Sequence, residues 1–119
     1  MTVQTGAMTR LQSGKMRSVV MLSGVTGNDT SDIYAVHRGD KTFMSEITGT
    51  GAVSATVTYY GSNRADTSRG VPLDTHALSG TDEDFTGSEV VINTSWSYIW
   101  AVITGISGTG AAVTAIMAV

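Results

Sequence analysis

The sequence predicts an all-β fold: a jelly-roll-like two-sheet β-sandwich with an extended N-terminal arm. Three observations carry the prediction. Aromatic and β-branched residues fall in short clusters separated by Gly, Asn, Asp and Ser, the pattern of strands punctuated by turns. Fourteen glycines and one proline in 119 residues do not suit a helical protein, and the length suits one domain with its own core. About eight short strands can be counted, the number a jelly roll needs.

In chain order, residues 1–18 have no sustained apolar period. They carry Arg10, Lys15 and Arg17, and no acid precedes Asp29. The segment reads as a basic arm on an otherwise acidic body, with the sandwich domain over 19–119. Such an arm is either a solvated terminus or a segment that orders against an acidic neighbour, with Met8, Leu11 and Met16 as anchors.

Residues 18–23, SVVMLS, suit a strand, and GVTGNDTSD reads as a loop. IYAVHR (33–38) is the next strand. KTFMSEI (41–47) and VSATVTYY (53–60) flank TGTGA and are expected to pair as a hairpin. GSNRADTSRG (61–70) is a polar loop, and Val71-Pro72-Leu73 restarts a short edge strand. After Ala77-Leu78 comes SGTDEDFTGSE, a loop crowded with Asp82, Glu83 and Asp84, and EVVIN (89–93) is a further strand.

The stretch from Trp96 to Val119 carries no charge and divides at SGTGA, which predicts a second hairpin. Alternation sets Trp96, Tyr98, Trp100 and Val102 on one face and Ile99, Ala101 and Ile103 on the other. Beyond the turn, Val113, Ala115 and Met117 alternate with Thr114, Ile116 and Ala118. Neither face is plainly wet, so the strands are buried on both sides or covered by another chain. The hexapeptides Ile47–Ala52 and Ile106–Ala111 share the pattern I-[TS]-G-T-G-A, suggesting two comparable halves.

Several functions are disfavoured by composition. Net charge of -3 leaves no general basic field for nucleic acid. The absence of Cys removes disulfides, thiol catalysis and Cys-based zinc sites. The uncharged C-terminal stretch matches a membrane span in length, but glycines at its centre cut it into halves too short for a spanning helix. No membrane partner and no secretory signal are expected.

Asp82, Glu83 and Asp84 lack the alternating spacing of a calcium loop, so a solvated loop is favoured, one able to receive a basic arm. His37 and His76 are too few for a metal centre and are expected at strand ends or in loops without a catalytic task. No nucleophile elbow, zinc-protease helix or phosphate-binding glycine loop occurs, and no cofactor is expected. The row Trp96, Tyr98 and Trp100 reads as core or oligomer contact in preference to a stacking platform for sugars or bases, since nothing polar lies beside it.

Two stretches carry a family resemblance. Tyr59 to Asn63 follows Y-x-G-S-N, and Ser95 to Thr114 follows S-W-x-Y-I-x-A-x-[IV]-T-x-[IV]-S-G-T-G-A-A-V-T. Together they resemble small β-sandwich virion proteins of tailed bacteriophages, over the chain from about Lys41 onward. The resemblance implies a non-enzymatic virion component: a capsid decoration or cement protein at the capsid surface, made in the host bacterial cytoplasm. Its expected partners are the major capsid protein and itself, as a dimer or trimer. Neck, tail and head-fibre parts are the alternative within the virion, and a carbohydrate-binding module is the alternative outside it. Expected assembly contacts are Arg10, Lys15, Arg17, Trp96, Tyr98 and Trp100. Where the family often has Arg, this chain has Trp100, which suggests burial in a contact.

Overall fold

The computed structural model describes residues 18–119. The strands are β1 (Ser18–Val25), β2 (Asp29–Thr30), β3 (Tyr34–Ala35), β4 (Gly39–Ser62), β5 (Val71–Gly87), β6 (Ile92–Thr94) and β7 (Tyr98–Ala118), with a 3-10 turn at Thr67–Arg69. All pairings are antiparallel, in the order β1-β7-β4-β5.

β4, β5 and β7 are long because each serves both layers of the sandwich. In one layer β1 pairs with the end of β7 (Val19 with Met117), that part of β7 with the start of β4 (Met117 with Phe43), and β4 with the end of β5 (Met44 with Gly87). In the other, β2 and β3 pair with the start of β7 (Asp29 with Ile103, Tyr34 with Ile99). That part of β7 pairs with the end of β4 (Ile103 with Val57), and β4 with the start of β5 (Val57 with His76). Counting β4, β5 and β7 twice, and β1 and the β2–β3 pair once each, gives eight segments wound in a jelly roll, with β6 a short extra strand on the start of β4 (Gly39 with Thr94); the all-β sandwich is the fold class the sequence predicts.

The two expected hairpins are not formed. The Gly-Thr-Gly stretches bend β4 and β7 over the sandwich's edge instead of reversing them, and lie against each other with Thr50 opposite Thr109. Gly51 (φ 75°) and Gly110 (φ 64°) adopt the left-handed region. β5 turns the same corner at Gly80–Asp82, where Asp82 is the one non-glycine residue described with positive φ (66°). The repeated hexapeptide is thus two facing halves of one corner.

Side-chain parity survives the bend. Along β4 the odd residues 43, 45 and 47 are buried before the corner and 53, 55, 57 and 59 after it. Along β7, Ile99, Ala101 and Ile103 and then Val113, Ala115 and Met117 are 0% exposed. Folding a strand over this corner therefore keeps one parity facing inward in both layers, where Phe43 and Tyr59 stack at 4.3 Å between ring centres. IYAVHR and EVVIN contribute only the short β3 and β6.

Candidate functional site

The predicted aromatic face is divided by the structure. Trp96 precedes β7, so strand alternation does not govern it. Half-buried, it packs over Gly61, where an added Cβ would lie 2.7 Å from the indole. Trp100 faces outward on β7 yet is 1% exposed: it stacks on its cross-strand neighbour Tyr60 (5.9 Å between centres), and Gly70 of the 63–70 loop closes over it. A Cβ on Gly70 would stand 2.6 Å from the Trp100 ring, so glycine is what lets the loop approach. Asp66 holds the loop's turn by accepting from the Ser68 backbone N–H at 2.9 Å and hydroxyl at 2.8 Å; these bonds keep its carboxyl below the usual range. Tyr98 is half-buried at the start of β7. Arg10, Lys15 and Arg17 lie outside the described residues.

The Asp82–Asp84 run is part of β5 and turns the corner. Asp82 Oδ1 accepts from Gly51 N at 2.7 Å, and Asp84 Oδ2 from Ser79 N at 2.8 Å. Carboxylates spent on backbone donors are poorly placed to share a cation. Among the described residues, no group of three or more His, Asp or Glu is placed to hold a metal, and no helix is long and apolar enough to cross a membrane.

His76 is neither at a strand end nor in a loop. It sits within β5, 4% exposed, at the centre of a polar network. Its Nε2 donates to Asp74 Oδ2 (2.9 Å), and Nδ1 lies 2.8 Å from Ser45 Oγ. Ser45 Oγ is 2.7 Å from the Tyr59 hydroxyl, which donates to the Met44 carbonyl at 2.9 Å. Asp74 Oδ2 also accepts from Ser88 Oγ at 2.7 Å, and Oδ1 from Thr75 N at 3.0 Å. Burial pushes the Tyr59 hydroxyl up to about 12.

Ser45, His76 and Asp74 have the composition of a hydrolytic triad, but Ser45 is 0% exposed and its hydroxyl lies against that of the buried Tyr59. An attacking oxygen must reach a substrate carbon, and this one faces only its own core. The arrangement ties the layers together: Ser45 belongs to one, Tyr59, His76 and Asp74 to the other. Asp-x-His on an alternating strand puts both side chains on one face, a signal readable in Asp74-Thr75-His76. That Ser45 and Tyr59 meet them depends on the corner and is not readable locally.

A second buried polar group lies near the start of β4. Lys41 is 2% exposed, donates to the carbonyls of His37 (2.6 Å) and Gly39 (2.9 Å), and has its pKa lowered by burial, against the opposing pull of Asp40.

The outer surface of the β1-containing layer carries an apolar strip. Val20, Ile116 and Met44 form one cross-strand row, and Phe85 lies beside it opposite Glu46. Val20 is 51%, Met44 39% and Phe85 71% exposed.

These features define an antiparallel jelly-roll domain with a polar tie in its core and an apolar strip on one outer face. No protein-family model and no curated protein sequence matches the chain. Among solved structures it is similar to the SPBc2 prophage-derived protein YomS, with a TM-score of 0.52 and 11% identity over 88% of this chain and 94% of that one. PirA gives a TM-score of 0.49 and 14% identity over 91% of this chain and 96% of PirA. A chain of infectious bursal disease virus Gx strain gives 0.42 and 14% identity over 88% of this chain, which spans only 32% of the viral one. The likeness to YomS shows a shared fold.

Proposed function

We propose that this protein is a non-enzymatic structural component of a virion, and specifically a decoration or cement protein on the capsid surface of a tailed bacteriophage. On this reading it binds the major capsid protein lattice and ties neighbouring subunits together. The motifs at 59–63 and 95–114 support it, as does a fold shared with a prophage-derived protein. The observation that carries it is the apolar row of Val20, Ile116 and Met44, with Phe85, left open on a layer whose inner face already has a full core. A protein that binds only the assembled shell stabilises it by mass action, and many modest contacts add up on a lattice.

The test is cosedimentation with mature bacteriophage capsids. Val20→Ser with Met44→Gln is expected to leave the melting curve nearly unchanged, because both side chains are exposed. Capsid affinity should fall by about tenfold or more. Unaltered binding by the double variant would remove the row from the contact, and no binding by the unmodified chain would overturn the capsid assignment. Mass spectrometry of purified particles then separates shell from neck or tail, by whether the copy number follows the lattice or a single ring. A glycan platform on the aromatic residues has less support, because Trp100 is covered by the chain's own loop.

A further inference from the structure

Beside the polar network, along β5, lies an open cleft of about 430 Å³ between residues 73–77 and 86–92. Leu73, Ala77, Val90 and Ile92 give it apolar walls, and Asp74 and Glu89 bring carboxylates to it. Val90, at its side, is 72% exposed, and the neighbouring Phe85 and Val91 are 71% and 57% exposed, the most exposed large apolar side chains described.

Charge is distributed to match. From Gly70 to Val119 the chain has no Lys or Arg and carries Asp74, Asp82, Glu83, Asp84 and Glu89. A cleft that is both apolar and anionic suits a segment that carries both apolar and cationic side chains. The chain contains one: residues 8–17, MTRLQSGKMR, interleave Met8, Leu11 and Met16 with Arg10, Lys15 and Arg17 and include no acid.

We propose that this cleft receives residues 8–17 of a second copy of the chain, so that copies associate by exchanging N-terminal arms. A second copy is favoured by topology. Ser18 opens β1 at one edge of its layer and β5 forms the other, with β7 and β4 between them. A chain's own arm would have to turn at Ser18 and run across the strands for three interstrand spacings, about 14 Å. A copy whose β1 edge faces this β5 edge delivers its arm along the strand direction. The guest is held by its side chains and not by an added β-ladder, since two β5 amides, Thr75 N–H and Ser79 N–H, are already taken by Asp74 and Asp84. The inference is independent of where the protein sits on a particle.

Sedimentation equilibrium of the full chain tests it. The unmodified protein is expected to self-associate, more weakly as salt is raised. Glu89→Lys, at an exposed position, and the triple variant Arg10→Glu, Lys15→Glu, Arg17→Glu should each weaken association by about tenfold or more. A one-to-one mixture of the two should recover it, because each reversed arm meets a reversed cleft. A full chain that stays monomeric, or variants that associate as strongly as the unmodified protein, would overturn arm exchange. So would a mixture no stronger than its components. Capsid cosedimentation is measured separately, so a failure here is distinguishable from failure of the capsid assignment.

Discussion

At the scale of single residues, Tyr59 is where the two layers meet. Its ring stacks on Phe43, and its hydroxyl lies between Ser45 and the Met44 carbonyl. Tyr59→Phe keeps the stack and removes the hydroxyl, leaving Ser45 and the Met44 carbonyl with one partner fewer in a dry site. A loss of about 1–2 kcal/mol is expected by urea denaturation at pH 7. The same residue sets an alkaline limit. Burial raises its pKa from 10.0 to about 12, so the folded state holds a proton that the unfolded state releases between those values. The stabilisation is complete below pH 10 and is lost as pH rises toward 12, by up to about 3 kcal/mol. Tyr34 is shifted in the same direction, by burial first and Asp32 second, and adds to the decline. Urea midpoints should change little between pH 8 and 10 and fall by pH 11.5, and the fall should be shallower in Tyr59→Phe. An equal slope in the variant would remove Tyr59 as its source.

At the scale of elements, the corner decides the architecture, and its glycines are not equivalent. Gly51 has φ 75° and open space around its missing Cβ, so Gly51→Ala meets only left-handed backbone strain, about 1–2 kcal/mol. Gly108 has φ 123°, and a Cβ there would lie 2.7 Å from the Ala52 carbonyl oxygen and 2.8 Å from Val53 Cγ1. Gly108→Ala is therefore expected to cost about 3 kcal/mol or more, because neither backbone can retreat without parting β4 from β7. Comparable thermal shifts for the two variants would show that the strands are not in contact there. The corner also marks the limit of what the sequence reveals. Alternation identified the strand segments and their inward parity, because burial on one face leaves a period-two record. Gly-Thr-Gly signals a change of direction but not its angle, since positive φ serves a hairpin and a bend alike. The aromatic row is divided for a related reason: strand alternation does not reach Trp96, which lies before the first residue of β7. The burial of Trp100 by Gly70 is a contact across thirty residues and leaves no local trace.

For the molecule as a whole, three strands continuous through both layers mean that neither layer has an independent edge at the corner. The shared core reinforces this, since Phe43, Ile47 and Met117 from one layer pack in the same cluster as Val57, Tyr59 and Ile103 from the other. Unfolding is therefore expected to be a single cooperative transition, with calorimetric and van't Hoff enthalpies equal at concentrations low enough to keep the chain monomeric. The partners Ser18 and Ala118, and Thr42 and Ala118, join residues far apart in sequence. Such pairings must close long loops before they contribute, so refolding should be slow for a domain of this size, in the range of milliseconds to seconds. Two probes check this. Tryptophan fluorescence reports on Trp100 in one layer, and amide exchange at Val113, Ala115 and Met117 reports on the other. Coincident denaturation midpoints are required, because a layer that melted alone would have to break β4 and β7 in mid-strand. Two separated transitions would show that the Gly-Thr-Gly corner is a hinge between independent sheets.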